Sequence, residues 1–372
     1  MCDIKLIKKW ITVCLLAAML GSLAGCTLRH NLVTEPIQLW YVVGDPFADI
    51  MEQLAEEYNA TDPAVPVRTQ GFDSESELGR SLDSARPELL LCDQRRAFTL
   101  YDQGKLKTLD FHGRPPQYAP LFEGLSGCIG TAYFPLGAEV PVLAIAANMP
   151  ESIRTDTLEQ LLLSATDAAE QTGNAQLGTD SFATLFANAM AQTGTVFAGV
   201  RAEDVQQASF VRLYNLLAGC AYQGGVWLKM GDTVSLLRSG QIACAICMST
   251  TLKDVADLRL EPVPVFGDGE RLCLGECQGL AVTAAFDGGL RGAAAFVTWL
   301  STSDVAVETS LKAGMLPAAA VEGELSDAPL RQMVTKLEGY HLYLPESNSG
   351  YLLNGTAFDA RVRSLLALLH EM

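Results

Sequence analysis

The stretch Ile37-Gln38-Leu39-Trp40-Tyr41-Val42-Val43-Gly44-Asp45-Pro46 predicts a β-strand followed directly by an α-helix. Its first seven residues are mostly β-branched, aromatic or aliphatic, and the run stops at Gly44. Asp45 and Pro46 suit the N-cap and the first position of a helix. Apolar residues then recur at helical spacing, at positions 47, 50, 51, 54 and 58. The stretch therefore opens an α/β layer.

The same strand and helix unit recurs along the next fifty residues or so. Residues 65–69 form a second strand-like run, and Ser74-Glu75-Ser76-Glu77 is a capping box that opens a helix. A third apolar run, at 89–92, ends at Asp93 before another helical stretch. Strands that are apolar throughout and alternate with helices predict a parallel sheet covered on both faces. We expect a doubly wound α/β domain.

A second α/β unit follows. It begins with a strand at 140–146, continues with helices at 157–172, 182–192 and 204–218, and includes a strand at 241–248. Further helices are predicted at 290–300 and 358–369. A chain of 372 residues agrees with two domains.

The charge balance excludes some classes of partner. The chain has 26 Lys and Arg against 43 Asp and Glu, a formal net charge of −17. A body this acidic is repelled by nucleic-acid backbones and by anionic lipid surfaces. We therefore expect no nucleic-acid partner.

The N-terminus has the layout of an export signal. Lys5, Lys8 and Lys9 precede an uncharged, mostly apolar segment from 11 to 25. The alternative is a membrane span, because residues 10–28 carry no charge. Leu23-Ala24-Gly25-Cys26 resembles the lipobox of bacterial lipoproteins, which implies a signal peptide at 1–25, a lipid on Cys26 and a tether at 26–36.

Ten cysteines are present, and seven remain once Cys2, Cys14 and Cys26 are set aside. An odd number excludes complete internal pairing. Cys244 and Cys247 point to opposite faces of a predicted strand and cannot hold one metal. Cys273 and Cys277 would lie about 13 Å apart in an extended strand. We interpret the seven as small buried apolar residues, with a disulfide involving Cys273 or Cys277 as the alternative.

Catalytic and cofactor motifs are not found in the sequence. There is no GxSxG, GxxxxGK[ST], GxGxxG or HExxH segment, and the four histidines stand alone. Hydrolase and metalloenzyme classes lose support, and we expect no enzyme activity, no cofactor and no metal site.

Candidate binding residues follow the predicted strands. In open parallel sheets, ligands bind beyond the carboxyl ends of the strands, where the sequence places Asp45, Phe72 and Asp93. Carboxylates accept hydrogen bonds from hydroxyls, and an aromatic ring covers the apolar face of a sugar. Asp45 could instead serve only as a helix cap. From the second unit, Trp227 lies in a glycine-bearing segment and Ser249 follows a strand, so both are further candidates, with core packing and helix capping as their alternatives.

In their order along the chain, these features resemble the lipid-anchored extracellular solute-binding proteins of ABC importers, particularly the carbohydrate-type group. The matching segments lie at 37–41, 54–59, 66–67, 86–93, 101–106, 133–135, 237–243, 278–282 and 314–317. Each is loose alone, and their order over nearly the whole mature chain carries the resemblance.

The resemblance implies a two-lobed type II periplasmic-binding-protein-like fold with a cleft between the lobes. Lobe one would comprise 37–138 and 274–312, and lobe two 139–273 and 313–372. It implies a monomer, anchored by lipid outside the bacterial cell membrane, that captures a small solute, a sugar or oligosaccharide, for a membrane permease. Asp45, Phe72 and Asp93 would contact the solute from lobe one, and Trp227 and Ser249 from lobe two. An extracellular carboxylate-dependent enzyme and a sensor or assembly lipoprotein are the alternatives.

Overall fold

The computed structural model describes residues 35–111, 115–122, 128–194, 207–228, 232–252, 255, 257–283, 287–320, 329–344 and 355–370. The predicted signal peptide, Cys26 and nearly all of the tether lie outside the described residues. Within the described ranges, no helix combines the length and the apolar character that a membrane span requires.

The first lobe is built on a six-stranded mixed sheet. Its strands and helices are β1 (Ile37–Val42), α1 (Ala48–Ala60), β2 (Val67–Phe72), α2 (Glu75–Ser84), β3 (Leu89–Asp93), α3 (Gln94–Asp102), β4 (Tyr133–Glu139), β10 (Glu276–Val282), α8 (Asp287–Leu300), α9 (Asp304–Lys312) and β11 (Leu316–Pro317). The strands lie in the order β11-β4-β10-β3-β1-β2. β1 pairs in parallel with β2 and β3, as the sequence predicts, whereas β10 runs antiparallel to both β3 and β4.

The start of α1 differs from the prediction. The helix begins at Ala48, so Asp45 and Pro46 are not its N-cap and first residue. The N-cap is Phe47, whose left-handed backbone (φ 71°) turns the chain and buries the ring. Gly44 also has a positive φ of 94°. This tight turn delays the helix and leaves the Asp45 carboxylate without a capping bond.

The second lobe contains a four-stranded sheet. Its strands and helices are β5 (Pro141–Ile145), α4 (Leu158–Thr172), β6 (Leu177–Thr179), α5 (Phe182–Gln192), α6 (Ala208–Tyr222), α7 (Thr233–Arg238), β7 (Cys244–Met248), a 3₁₀ turn (Ser249–Leu252), β8 (Arg259–Pro262), α10 (Pro329–Lys336) and α11 (Gly355–His370). The strands lie in the order β6-β7-β5-β8, with β5 antiparallel to β7 and β8, and β6 parallel to β7. The helices at 158–172 and 182–192 lie where the sequence places them.

Two passages between the lobes lie within the described ranges. β4 leads into β5 through Val140, and β9 (Leu272–Leu274) leads into β10 through Gly275. β11 pairs with β4 although the predicted boundaries assign it to lobe two, and the next described helix, α10, packs against β8 of the second sheet. β9 also pairs with β12 (His341–Tyr343) in a small separate sheet beside the crossings. The lobe boundaries remain a prediction.

In the part of the chain that the structure describes, buried apolar side chains form three clusters, of which one contains residues of both sheets, such as Trp40 and Val142. This shared cluster holds the lobes together at the crossings. Cys244 belongs to a second-lobe cluster and Cys247 to the shared one, so they lie on opposite faces of β7 as predicted. The seven cysteines of the described ranges are all buried, and Cys273 and Cys277 are not joined in a disulfide.

Candidate functional site

Four carboxylates gather where the strands of the first sheet end beside the second lobe. Asp45 follows β1, Asp93 ends β3, Glu139 ends β4 and Glu276 begins β10. They meet because β10 is antiparallel to both of its neighbours, which pairs Gln278 with Asp93 and Glu276 with Glu139. We call these four residues the strand-end cluster.

Two arginines from the first turn of α3 partly neutralise the cluster. Arg95 Nη2 lies 3.1 Å from Asp93 Oδ2 and 3.6 Å from Glu276 Oε2. The backbone N–H of Arg96 donates to Asp93 Oδ1 at 2.8 Å, so Asp93 is also the N-cap of α3. The Arg96 guanidinium pairs with Glu75. Four carboxylates against two arginines leave an excess of hydrogen-bond acceptors.

Burial shapes the ionisation of the cluster. Partial burial raises the pKa of Asp45, and the positive charge of Arg96 opposes this effect. Burial likewise raises the pKa of Glu139, while a hydrogen bond from Thr250 acts in the opposite direction. The pKa of Glu276 is raised by burial, lowered by Arg95 and raised again by Glu139 and Asp93. The cluster therefore holds carboxylates that are incompletely solvated and gain from additional donors.

The second lobe contributes hydroxyls and a carboxylate. The Thr250 hydroxyl, in the 3₁₀ turn after β7, donates to Glu139 Oε1 across the junction of the lobes. The neighbouring Thr251 hydroxyl lies 3.2 Å from Asp180 Oδ2, just after β6. Arg363 of α11 holds the end of β6 in place, because its Nη2 donates to the carbonyls of Thr179 and Asp180 at 2.9 and 3.2 Å.

The structure places the five residues predicted from sequence in different surroundings. Asp45 and Asp93 lie together in the strand-end cluster. Phe72 is only 5% exposed, and its ring centroid lies 5.0 Å from that of Trp40, within the shared core. Trp227 is partly buried and packs against the same core.

Ser249 has its own place in the fold. It is 0% exposed, and its Oγ accepts from Val140 N at 3.2 Å while its own N–H donates to Val140 O at 2.8 Å. These two bonds tie the end of β7 to the crossing between β4 and β5. A role for Ser249 in solute binding stays a prediction, and the structure gives its hydroxyl a bond in the crossing.

Sequence reasoning missed Glu139 and Glu276. Thr250 belongs with Ser249 to the polar triplet 249–251 after β7, whose hydroxyls the sequence offers as hydrogen-bond donors. Glu139 and Glu276 gave a weaker signal, a single acid at the edge of an apolar run. Within the described residues, no group of three or more His, Cys, Asp or Glu side chains could hold a metal ion.

No protein-family model matches the chain, and no curated protein matches its sequence. Solved structures do match its fold. One is a cyclic α-maltosyl-1,6-maltose binding protein from Arthrobacter globiformis, 17% identical, with a TM-score of 0.68 over 91% of this chain and 95% of that chain. An extracellular solute-binding protein of family 1 from Alicyclobacillus acidocaldarius is 12% identical, with a TM-score of 0.67 over 89% and 93%.

A third match is UgpB from Mycobacterium tuberculosis, solved in complex with glycerophosphocholine. It is 14% identical, with a TM-score of 0.61 over 90% of this chain and 98% of that chain. At such identities the likeness establishes the fold. The protein has the two-lobed type II periplasmic-binding-protein-like fold, and the fold implied by the sequence resemblance is confirmed.

Proposed function

We propose that the protein is an extracellular, lipid-anchored solute-binding protein that captures a small solute between its lobes and delivers it to the permease of an ABC importer. A sugar or oligosaccharide is the leading solute class. The matched fold supports this proposal, since the similar protein from Arthrobacter globiformis is named for a cyclic maltose-type saccharide. The lipobox-like segment ending at Cys26 supports the anchor.

The strand-end cluster is the observation that carries the proposal. Its four carboxylates lie at the junction of the lobes, with Thr250 and Asp180 opposite. A polyol offers many hydroxyl donors with fixed spacing, and hydrogen bonds to ionised acceptors are about twice as strong as neutral ones. A sugar would therefore satisfy acceptors that two arginines leave in excess.

Lobe closure supplies the mechanism. A solute that contacts Asp45 and Asp93 on one side and the Thr250 turn on the other gains contacts only when both walls are near. Such differential affinity shifts the equilibrium toward the closed form. Moving a two-state equilibrium from 1:99 to 99:1 requires about 5.5 kcal/mol of differential binding, which a handful of charge-assisted hydrogen bonds at about 1.5–3 kcal/mol each could provide.

A thermal-shift panel tests the proposal. The full chain is heated with maltose, maltotriose and a cyclic maltose-type saccharide, and binders are quantified by calorimetry. A solute at one hundred times its Kd adds about 2.7 kcal/mol to the unfolding free energy. Asp93→Asn should weaken the binder at least tenfold, whereas Asp49→Asn, an exposed change on α1, should leave it unchanged. A panel without any stabilising saccharide would contradict the sugar assignment.

An amine-bearing solute is the second candidate, favoured by the excess of carboxylates over arginines in the cluster. Protonated amines pair with carboxylates and would relieve the repulsion between Glu139 and Glu276. Putrescine and spermidine in the same panel decide between the classes. Stabilisation by a polyamine that disappears in Glu276→Gln would favour an amine over a sugar.

A further inference from the structure

A second concave site lies on the face of lobe one, between α2 and α3. It is a groove of about 540 Å³. One end reaches Arg86 and Thr283, which lie at the start of β3 and the end of β10. The strand-end cluster is at the opposite end of these strands, so the two sites are distinct. The groove is lined by Gly79, Leu82, Asp83, Ser84, Ala85, Arg86, Arg96, Leu100, Lys105 and Thr283.

The rim of the α2–α3 groove is basic. Arg86, Arg96 and Lys105 line it, against the single acid Asp83. Arg96 is paired with Glu75, but in the described ranges no ion pair involves Arg86 or Lys105. Acids outnumber basic residues 43 to 26 in this chain, so internal partners are abundant. Two unpaired cations beside one groove therefore favour an anionic partner from outside.

The floor of the groove is apolar. Leu82 of α2 and Leu100 of α3 are partly buried and pack with one side against the shared core. Their other side borders the groove, where an apolar side chain would remove it from water. Burial of such surface contributes about 25 cal/mol per Å². A purely ionic ligand would leave this surface uncovered.

The end of α2 lies on the wall of the same groove. The last carbonyls of a helix lack intrahelical partners, and α2 ends at Ser84, on the groove wall. Ser81 O accepts from Ala85 N and from Ser84 Oγ, which closes the turn before the last residues. The carbonyls beyond it suit backbone N–H donors and repel a bare anion.

We propose that the α2–α3 groove binds an acidic, leucine-bearing peptide segment of a partner protein. Its carboxylates would pair with Arg86 and Lys105, its apolar side chain would cover Leu82 and Leu100, and its backbone N–H groups would meet the end of α2. Inorganic phosphate matches only the first of these features. Residues 1–34 of this chain do not match, because they carry four Lys and Arg against one Asp. Peptide binding in this groove does not require the proposed solute function.

The test uses the purified full chain and a fluorescent peptide of four Glu-Glu-Leu repeats. Fluorescence anisotropy should show saturable binding at low salt that weakens as salt rises, because screening shortens from about 30 Å at 0.01 M to about 3 Å at 1 M. The double variant Arg86→Glu with Lys105→Glu should bind at least about tenfold more weakly. Arg361→Glu, an exposed reversal on α11, should change binding less than twofold.

Four results would overturn the proposal: no binding by the wild type at millimolar peptide, equal binding by the double variant, equal binding of a Lys-Lys-Leu repeat, and full competition by millimolar phosphate. Binding of anionic vesicles that depends on Arg86 would assign the groove to a membrane. Dimerisation lost in the double variant would assign it to a second copy. We expect the melting temperatures of the variants to be unchanged, because neither the Arg86 nor the Lys105 side chain makes a hydrogen bond in the described structure. An unchanged melting temperature shows that a variant folds.

Discussion

Replacing Ser249 by alanine tests whether this serine stabilises the crossing between the lobes. The change removes the oxygen that accepts from Val140 N at 3.2 Å and leaves the reverse bond, from Ser249 N to Val140 O, in place. Both residues are 0% exposed, so water cannot replace the lost acceptor. A buried donor without a partner costs about 1–3 kcal/mol. We expect Ser249→Ala to lower the unfolding free energy by that amount.

Ser301→Ala is the matched control. Ser301 is also buried, but its hydroxyl donates at 2.8 Å to Thr298 O, which accepts from the Thr302 hydroxyl as well. Its removal leaves no orphaned backbone group, so the cost should stay below about 1 kcal/mol. Guanidinium unfolding followed by tryptophan fluorescence measures both variants. Equal costs for the two would refute the crossing role. Weaker solute binding without lost stability would support the ligand role predicted from sequence.

Three further changes probe the junction and the first sheet. Glu139→Gln should raise the melting temperature most at pH 8 and lose that advantage as pH falls toward 4.5. Burial raises the pKa of Glu139, so its charged form costs stability above that pKa. A pH-independent difference in melting temperature would contradict this. Tyr133→Phe should cost about 1 kcal/mol in chemical unfolding, since the buried hydroxyl lies 3.1 Å from the carbonyls of Cys92 and Cys277; no loss would exclude that role. Gly279→Ala should cost about 1–3 kcal/mol of unfolding free energy, because its Cβ would overlap the backbone of Phe134. Gly219→Ala, with open space at its Cβ, should be neutral or stabilising, and a thermal scan of both variants compares them.

Half of the strand-end cluster could be predicted from the sequence. Asp45 and Asp93 follow parallel strands, and the carboxyl ends of such strands meet at one edge of a sheet. Glu139 and Glu276 lie on strands that are antiparallel neighbours although they are 137 positions apart in the numbering. No local pattern specifies that pairing, because it depends on the chain returning from the second lobe.

The same strand-end reasoning makes Phe72 a candidate for solute binding, a role that stays a prediction, but it did not indicate that the ring is buried against Trp40. Position along a strand is local information, whereas the face on which a side chain lies depends on register. The pairing of Val42 with Phe72 brings the Phe72 ring against Trp40, within the shared core. Ser249 shows the same limit, since only the crossing through Val140 makes its hydroxyl an internal acceptor.

Arg96 connects the two sites of lobe one, and this predicts that they influence each other. It lines the α2–α3 groove, pairs with Glu75, and its charge opposes the effect of burial on the pKa of Asp45. An acidic peptide that draws the guanidinium toward the groove would leave Asp45 less compensated and change the affinity for a solute bound there. Linkage requires the solute to change the peptide affinity by the same factor. Calorimetry of each ligand with and without the other measures both factors. The connection is supported if each ligand changes the affinity of the other by the same factor, and if both factors become one in Arg96→Gln. Factors of one in the wild type would show that the two sites act independently.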